Sequence, residues 1–162
     1  MSHNTCSICG EGQLTEQMSK NSVTYKGQTT ELNLFFAVCD VCGVEQADAH
    51  HVRNNKRQMI AFRKQVDGLL SGSQISALRK RLGITQVQAA EIFGGEPTAF
   101  SKYESDDVAQ SEAMEKLLRL AHDAHAFQAL KQIAVEEVMG QDVTQLDFGS
   151  NRKSAKYQNQ IS

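Results

Sequence analysis

Thr85-Gln86-Val87-Gln88-Ala89-Ala90-Glu91-Ile92-Phe93-Gly94-Gly95-Glu96-Pro97-Thr98-Ala99-Phe100-Ser101-Lys102-Tyr103-Glu104 holds two helical starts on either side of a glycine pair. Thr85, with Gln88 three residues on, is a capping box that satisfies two orphan amides and opens a helix. That helix is expected to run to Phe93 and to bury Val87, Ala90 and Ile92 or Phe93. Gly94-Gly95 reads as a turn. Pro97 suits the first turn of a second helix, from Pro97 to about Ser105. Two short helices joined by a glycine turn fit a helix-turn-helix, whose second helix enters the DNA major groove. Thr98, Ala99, Ser101 and Lys102 are then placed to meet base edges. Lys102 can donate to guanine O6 and N7, and Thr98 can bond a base or set its methyl against thymine. Gln86 is placed to reach a phosphate at the start of its helix. Phe100 and Tyr103 are expected in the core.

Outward from this motif the pattern stays helical. Ser73 is expected to open a helix carrying Ile75, Leu78 and Leu82, ended by Gly83. Ser111 caps a helix with Met114, Leu117, Leu118 and Ala121 on its inner face. A fifth helix spans about Ala124 to Met139, with Phe127, Leu130, Ile133 or Ala134, and Val138 on one stripe, ended by Gly140. These five helices make a DNA-binding and dimerisation domain over 73–140. The last two helices are acidic, so they should face away from DNA or form a dimer contact. Residues 141–162 are polar and read as a disordered tail. N-terminal to the domain, Met59, Phe62, Val66 and Leu69 or Leu70 recur at helical spacing. This predicts a basic linker helix in 53–72. Ser71-Gly72-Ser73 reads as a short, flexible boundary.

The four cysteines fall in two knuckles, Cys6-Ser7-Ile8-Cys9-Gly10 and Cys39-Asp40-Val41-Cys42-Gly43. Two intervening residues let both sulfurs of a pair converge on one ion, and the glycine takes the turn that follows. Cys6, Cys9, Cys39 and Cys42 together make a closed tetrahedral site. Zn²⁺ in a structural role is the first reading; iron or a redox dithiol are the alternatives. His3, His50 and His51 flank the knuckles and read as solvent-facing, because four thiolates complete the shell. Between the knuckles, Val23–Tyr25 and Leu32–Val38 read as strands joined by a turn at Lys26-Gly27-Gln28. The module over 1–52 has little apolar area, so metal ligation should supply much of its folding energy. The fold class is therefore α+β: a small Cys₄ zinc-binding β module, then an all-α helix-turn-helix domain, then the tail.

Net charge is −2 over 162 residues, so the molecule as a whole is no polybasic nucleic-acid binder. The charge is nevertheless segregated. Residues 1–49 carry −4, residues 50–82 carry +7, residues 83–151 carry −8 and the last eleven carry +3. The basic block is suited to a polyanion, and Arg63, Lys64 and Arg79 are the candidate phosphate contacts beside Gln86. No apolar run approaches the ~18 residues of a membrane span. The N-terminus has no apolar signal core, which points to a soluble cytoplasmic protein. No nucleophile-base or paired-carboxylate constellation appears, so no enzymatic activity is expected.

Several strings carry a family resemblance. Leu82-Gly83-Ile84-Thr85-Gln86-Val87-Gln88-Ala89-Ala90 and Phe100-Ser101-Lys102-Tyr103-Glu104 resemble phage-repressor (Xre-type) domains. Ala61-Phe62-Arg63, Glu91-Ile92-Phe93-Gly94-Gly95, Ala99-Phe100-Ser101 and Lys116-Leu117-Leu118-Arg119, together with the cysteine knuckles, resemble the MqsA (YgiT-type) antitoxins over about residues 4–122. The resemblance implies a type II toxin–antitoxin system. The zinc module would bind and inactivate a toxin, typically an mRNA-cleaving ribonuclease. The C-terminal domain would form a homodimer and repress its operon at a palindromic operator in double-stranded DNA. Arg63 matches a family phosphate contact. The family carries Asn at the position of Thr98 and Arg at that of Lys102, so base preference should differ here. A stand-alone zinc-containing helix-turn-helix transcriptional regulator is the second reading of the same residues.

Overall fold

The computed structural model describes residues 4–138. Its element order is β1 (Leu14–Tyr25), β2 (Gln28–Cys39), β3 (Glu45–Gln46), α1 (Ala49–Val66), α2 (Gly72–Arg81), α3 (Gln86–Phe93), α4 (Ala99–Glu104), α5 (Glu112–Leu120) and α6 (Ala124–Val138). The α+β expectation holds: a three-stranded antiparallel sheet in the order β1-β2-β3 precedes six helices. Met139, Gly140 and the expected tail over 141–162 lie outside the described residues, as does His3.

β1 and β2 pair along their full length, from Leu14 opposite Cys39 to Tyr25 opposite Gln28. The two-residue loop between them is Lys26-Gly27, with φ of 46° and 79°. Both central residues are left-handed, the geometry that suits a tight hairpin, and glycine carries the second without strain. The strands extend well beyond the expected Val23–Tyr25 and Leu32–Val38. The added residues are mostly polar and exposed on both faces, so they carry no alternation to read.

β3 pairs with β2 only at Ala37 and Val38. Beyond it, α1 covers the same edge. The amide of Asn55 accepts from Phe35 N–H and donates to Phe35 C=O, both at 2.9 Å. Gln58 does the same at Asn33, at 3.0 and 2.9 Å. Two side-chain amides one turn apart thus stand in for a neighbouring strand, which fixes α1 along the hairpin.

α1 begins at the N-cap Asp48, whose carboxylate accepts from His51 N–H, while the His51 ring folds back over the cap and, when neutral at Nδ1, accepts from Asp48 N–H. At the expected boundary, Ser71-Gly72-Ser73, the chain is the capped start of α2 rather than a loop. Ser71, rather than Ser73, caps α2 through a capping box with Gln74. Gly72 is buried, and a Cβ there would stand 2.4 Å from the carbonyl oxygen of Glu104. Glycine is needed at this point because the α4 backbone comes so close.

The helical core joins Ile75, Leu78, Ala89, Ala90, Phe93, Phe100, Met114, Leu118, Ala121 and Phe127. Val87 is not part of it: it is 51% exposed, and Ala89 takes the inward position. Ile133 is also exposed. Among the described residues, no helix is long and apolar enough to cross a membrane.

Candidate metal centre and nucleic-acid interface

The hairpin brings the two knuckles together, because Cys39 ends β2 opposite Leu14, just past the first knuckle. In each knuckle the glycine N–H bonds back to the first cysteine's carbonyl: Gly10 to Cys6 and Gly43 to Cys39, both at 3.0 Å. Gly10 and Gly43 have φ of 73° and 69°, which turns the chain and aims both sulfurs inward.

The ligand atoms of Cys6, Cys9, Cys39 and Cys42 all lie within 4.8 Å of one another. The Cys6–Cys42 and Cys9–Cys39 sulfurs are each 3.7 Å apart. Four sulfurs at about 2.3 Å from a tetrahedral ion stand about 3.8 Å from each other, so the set fits such an ion. Amides support the sulfurs: Gly12 N–H points at Cys9 Sγ (3.4 Å) and Cys42 N–H at Cys39 Sγ (3.5 Å). The Gln46 side-chain amide donates to Cys6 Sγ at 3.2 Å. Gly12 completes the cradle, since a Cβ there would stand 2.3 Å from Cys39 Sγ.

The thiols do not ionise alike. The backbone amides of Glu11 and Gly12 hold Cys9 down at about 6. The Val44 amide lowers Cys42, but desolvation and the neighbouring sulfurs outweigh it and carry that thiol up to about 12. Four adjacent thiolates therefore need a cation among them. A four-sulfur shell leaves no open position for water or substrate, so such an ion would be structural.

The flanking histidines divide. His50 is exposed as expected, whereas His51 is buried. Its ring bonds Glu16 of β1 (2.6 Å) and sits 2.7 Å from the Asp48 carboxylate. The Glu16 hydrogen bond, with help from Asp48, raises its pKa against the opposing cost of burial.

The expected base readers lie on or just before α4. Pro97-Thr98 forms a turn closed by Ala99 N–H to Glu96 C=O (2.8 Å), so the helix begins two residues later than expected. Thr98, Ser101 and Lys102 are exposed, and the Thr98 hydroxyl makes no cap hydrogen bond. Lys102 Nζ lies 3.5 Å from the exposed Glu96 carboxylate, a contact easily exchanged. Ala99 is 8% exposed and packs inward with Phe100, so it cannot present itself to a base. Tyr103 packs edge-on against Phe100, at 5.8 Å between ring centres.

The four expected phosphate contacts are not equivalent. Arg63 is exposed, its guanidinium 5.2 Å from the Tyr25 ring centre. Lys64 corrects the expectation: its side chain is 0% exposed, and Nζ donates to Tyr103 C=O (2.9 Å) and Asp106 Oδ1 (2.7 Å). Arg79 is also turned inward, forked onto Glu104 with a third bond to Ile84 C=O (3.0 Å). The Gln86 amide donates to the same Glu104 at 3.0 Å. Burial alone would raise the Glu104 pKa, but these partners hold it below the usual carboxylate range. Glu104 thereby ties α2, α3 and α4 together. A count of cations cannot separate these roles; the separation needs the tertiary position of Asp106 and Glu104.

The family model described as the antitoxin component of a bacterial toxin-antitoxin system, MqsA, matches residues 4–134. Antitoxin MqsA of Escherichia coli (strain K12) is 31% identical over 122 residues, which cover 71% of this chain and 89% of that protein. The family match spans the cysteine knuckles, α1 and the helix-turn-helix. This chain, a four-cysteine hairpin module joined through one helix to a helix-turn-helix, thus belongs to the MqsA antitoxin family, the antitoxin component of a bacterial toxin–antitoxin system.

Proposed function

We propose that the chain neutralises a ribonuclease toxin through its N-terminal module and represses its own operon through the helix-turn-helix. Family membership favours this over a stand-alone regulator, since an antitoxin has a toxin as partner. The observation that carries the DNA half is the division of α4 and the turn before it. Thr98, Ser101 and Lys102 face solvent, while Ala99 and Phe100 lock into the core. An element anchored on one side and polar on the other is what major-groove reading requires. Exposed Arg63 supplies a phosphate contact, and a homodimer would read a palindrome through two copies of α4. The ion is Zn²⁺, which tetrahedral thiolate sites favour, and it holds the module's shape without taking part in chemistry.

The toxin half rests on charge and on an open edge. Residues 1–49 carry −4, and an enzyme that holds RNA must present a basic surface. β1 is the outer strand of its sheet and has no further strand beside it among the described residues, so it can accept one. Binding, not catalysis, then silences the toxin.

Co-expression with the toxin gene of the same operon tests this reading. The wild-type chain should restore growth, and Cys39→Ala, which breaks the metal centre, should not. Rescue by Cys39→Ala would place the toxin grip outside the N-terminal module.

A further inference from the structure

α1 carries two cations seven residues apart, Arg57 and Lys64. Two helical turns separate them, so they share one face. Both reach the same short segment, the last turn of α4 and the turn that follows it. Lys64 Nζ binds the Tyr103 carbonyl and Asp106. Arg57 forks onto Asp107 at 2.7 and 3.0 Å. The turn is itself folded back onto the recognition helix. Asp107 N–H donates to the Lys102 carbonyl at 2.9 Å, and Ser105 Oγ bridges Ser101 C=O (2.8 Å) and Asp107 (2.9 Å). Asp106 sits at φ 57° and also accepts from the Gly72 amide at 3.2 Å, so the start of α2 joins the same knot. The backbone of both exposed residues on α4, Ser101 and Lys102, is thus held from behind by this clasp.

Lys64 is a costly residue to spend on packing. A buried ammonium persists only where its charge and most of its donors are met, and here a helix-end carbonyl and a carboxylate take two of its three N–H groups and balance its charge. An apolar side chain of similar length would fill the space without that demand, so the ion pair is suited to fixing direction rather than to adding stability. The neighbour of Lys64 gives that direction a use. Arg63, the exposed candidate for a phosphate contact, precedes it by about 100° around the helix. One turn of α1 therefore offers Arg63 to the DNA backbone and grips the recognition helix with Lys64. Phosphate contacts set the register in which base contacts are tried, so the relative placement of the two decides specificity.

We propose that Lys64, clasped to Tyr103 and Asp106, is a positioning residue for sequence-specific DNA reading, locking α4 to the α1 helix that carries Arg63. This rests on the DNA-reading half of the proposed function. It assigns Lys64 no contact with DNA.

The test begins with the full-length wild-type chain and a random duplex library, from which its preferred site is selected. Affinities of Lys64→Met and Asp106→Asn for that site and for a random duplex are then compared, with helicity and metal content measured on each variant. Asp106→Asn keeps the shape, the left-handed backbone and an acceptor for Gly72, so it decides the matter if Lys64→Met does not fold. The expected result is a loss of about tenfold or more on the selected site, with the random duplex changed by less than about twofold. Equal losses on both duplexes would make Lys64 a contributor to stability or to phosphate binding and would overturn the proposal. Unchanged affinity for the selected site would overturn it as well. A wild-type chain that enriches no sequence would instead remove the DNA reading on which the proposal stands.

Discussion

At the scale of single residues, side chains of like charge do different work according to what faces them. Arg63 and Lys64 are both cations in the basic block of the sequence, yet one meets solvent and the other is sealed against Tyr103 and Asp106. His51 is the residue whose behaviour is easiest to check. It joins Glu16 of β1 to the N-cap Asp48 of α1, and its pKa lies above the ordinary 6.5. A raised folded value means that the protonated ring stabilises the fold fully below 6.5. The stabilisation is lost as pH rises through the raised value. In the metal-loaded chain, the melting temperature of the N-terminal module should therefore fall as pH climbs through this window, and His51→Gln should flatten the dependence. A variant that keeps the wild-type slope would assign the titration to another group. The sequence placed His51 among solvent-facing flanking residues because its partner Glu16 is thirty-five positions away, a distance no local pattern spans.

At the scale of elements, what was legible followed from local rules. Capping boxes, turn glycines and apolar spacing located α3, α5 and α6 closely, and the cysteine knuckles located the metal centre. What was not legible depended on neighbours. Val87 has the spacing of a core residue but lies on the outer face, because α3 is eight residues long and packs through Ala89, Ala90 and Phe93. The outer half of the hairpin hid for a related reason. Its residues are polar on both faces, and its pairing is secured by the turn and by α1 rather than by a buried face. The amides of Asn55 and Gln58 hold that edge, so replacing both by Leu removes four hydrogen bonds to β2. The expected cost is about 1 kcal/mol for each bond lost. The uncovered edge should also self-associate as concentration rises. Denaturant melts and light scattering would show both, and a variant as stable and as monodisperse as wild type would mean that α1 is held by other contacts.

At the scale of the whole molecule, the metal module and the DNA reader are joined by one continuous helix. α1 is fixed to the hairpin through Asn55, Gln58 and the Tyr25–Asp67 contact at 3.2 Å, and to the helical domain through Arg57 and Lys64. A toxin bound at one end and an operator at the other would thus meet a single framework. Whether α4 reads sequence is decided by the side chain of Lys102. Lys102→Ala and the wild type are titrated against the selected duplex and against random DNA at one salt concentration. A loss of about 1–3 kcal/mol is expected on the selected duplex, with little change on random DNA. Equal losses on both would reduce Lys102 to a phosphate contact, and no loss on either would place the recognition surface elsewhere.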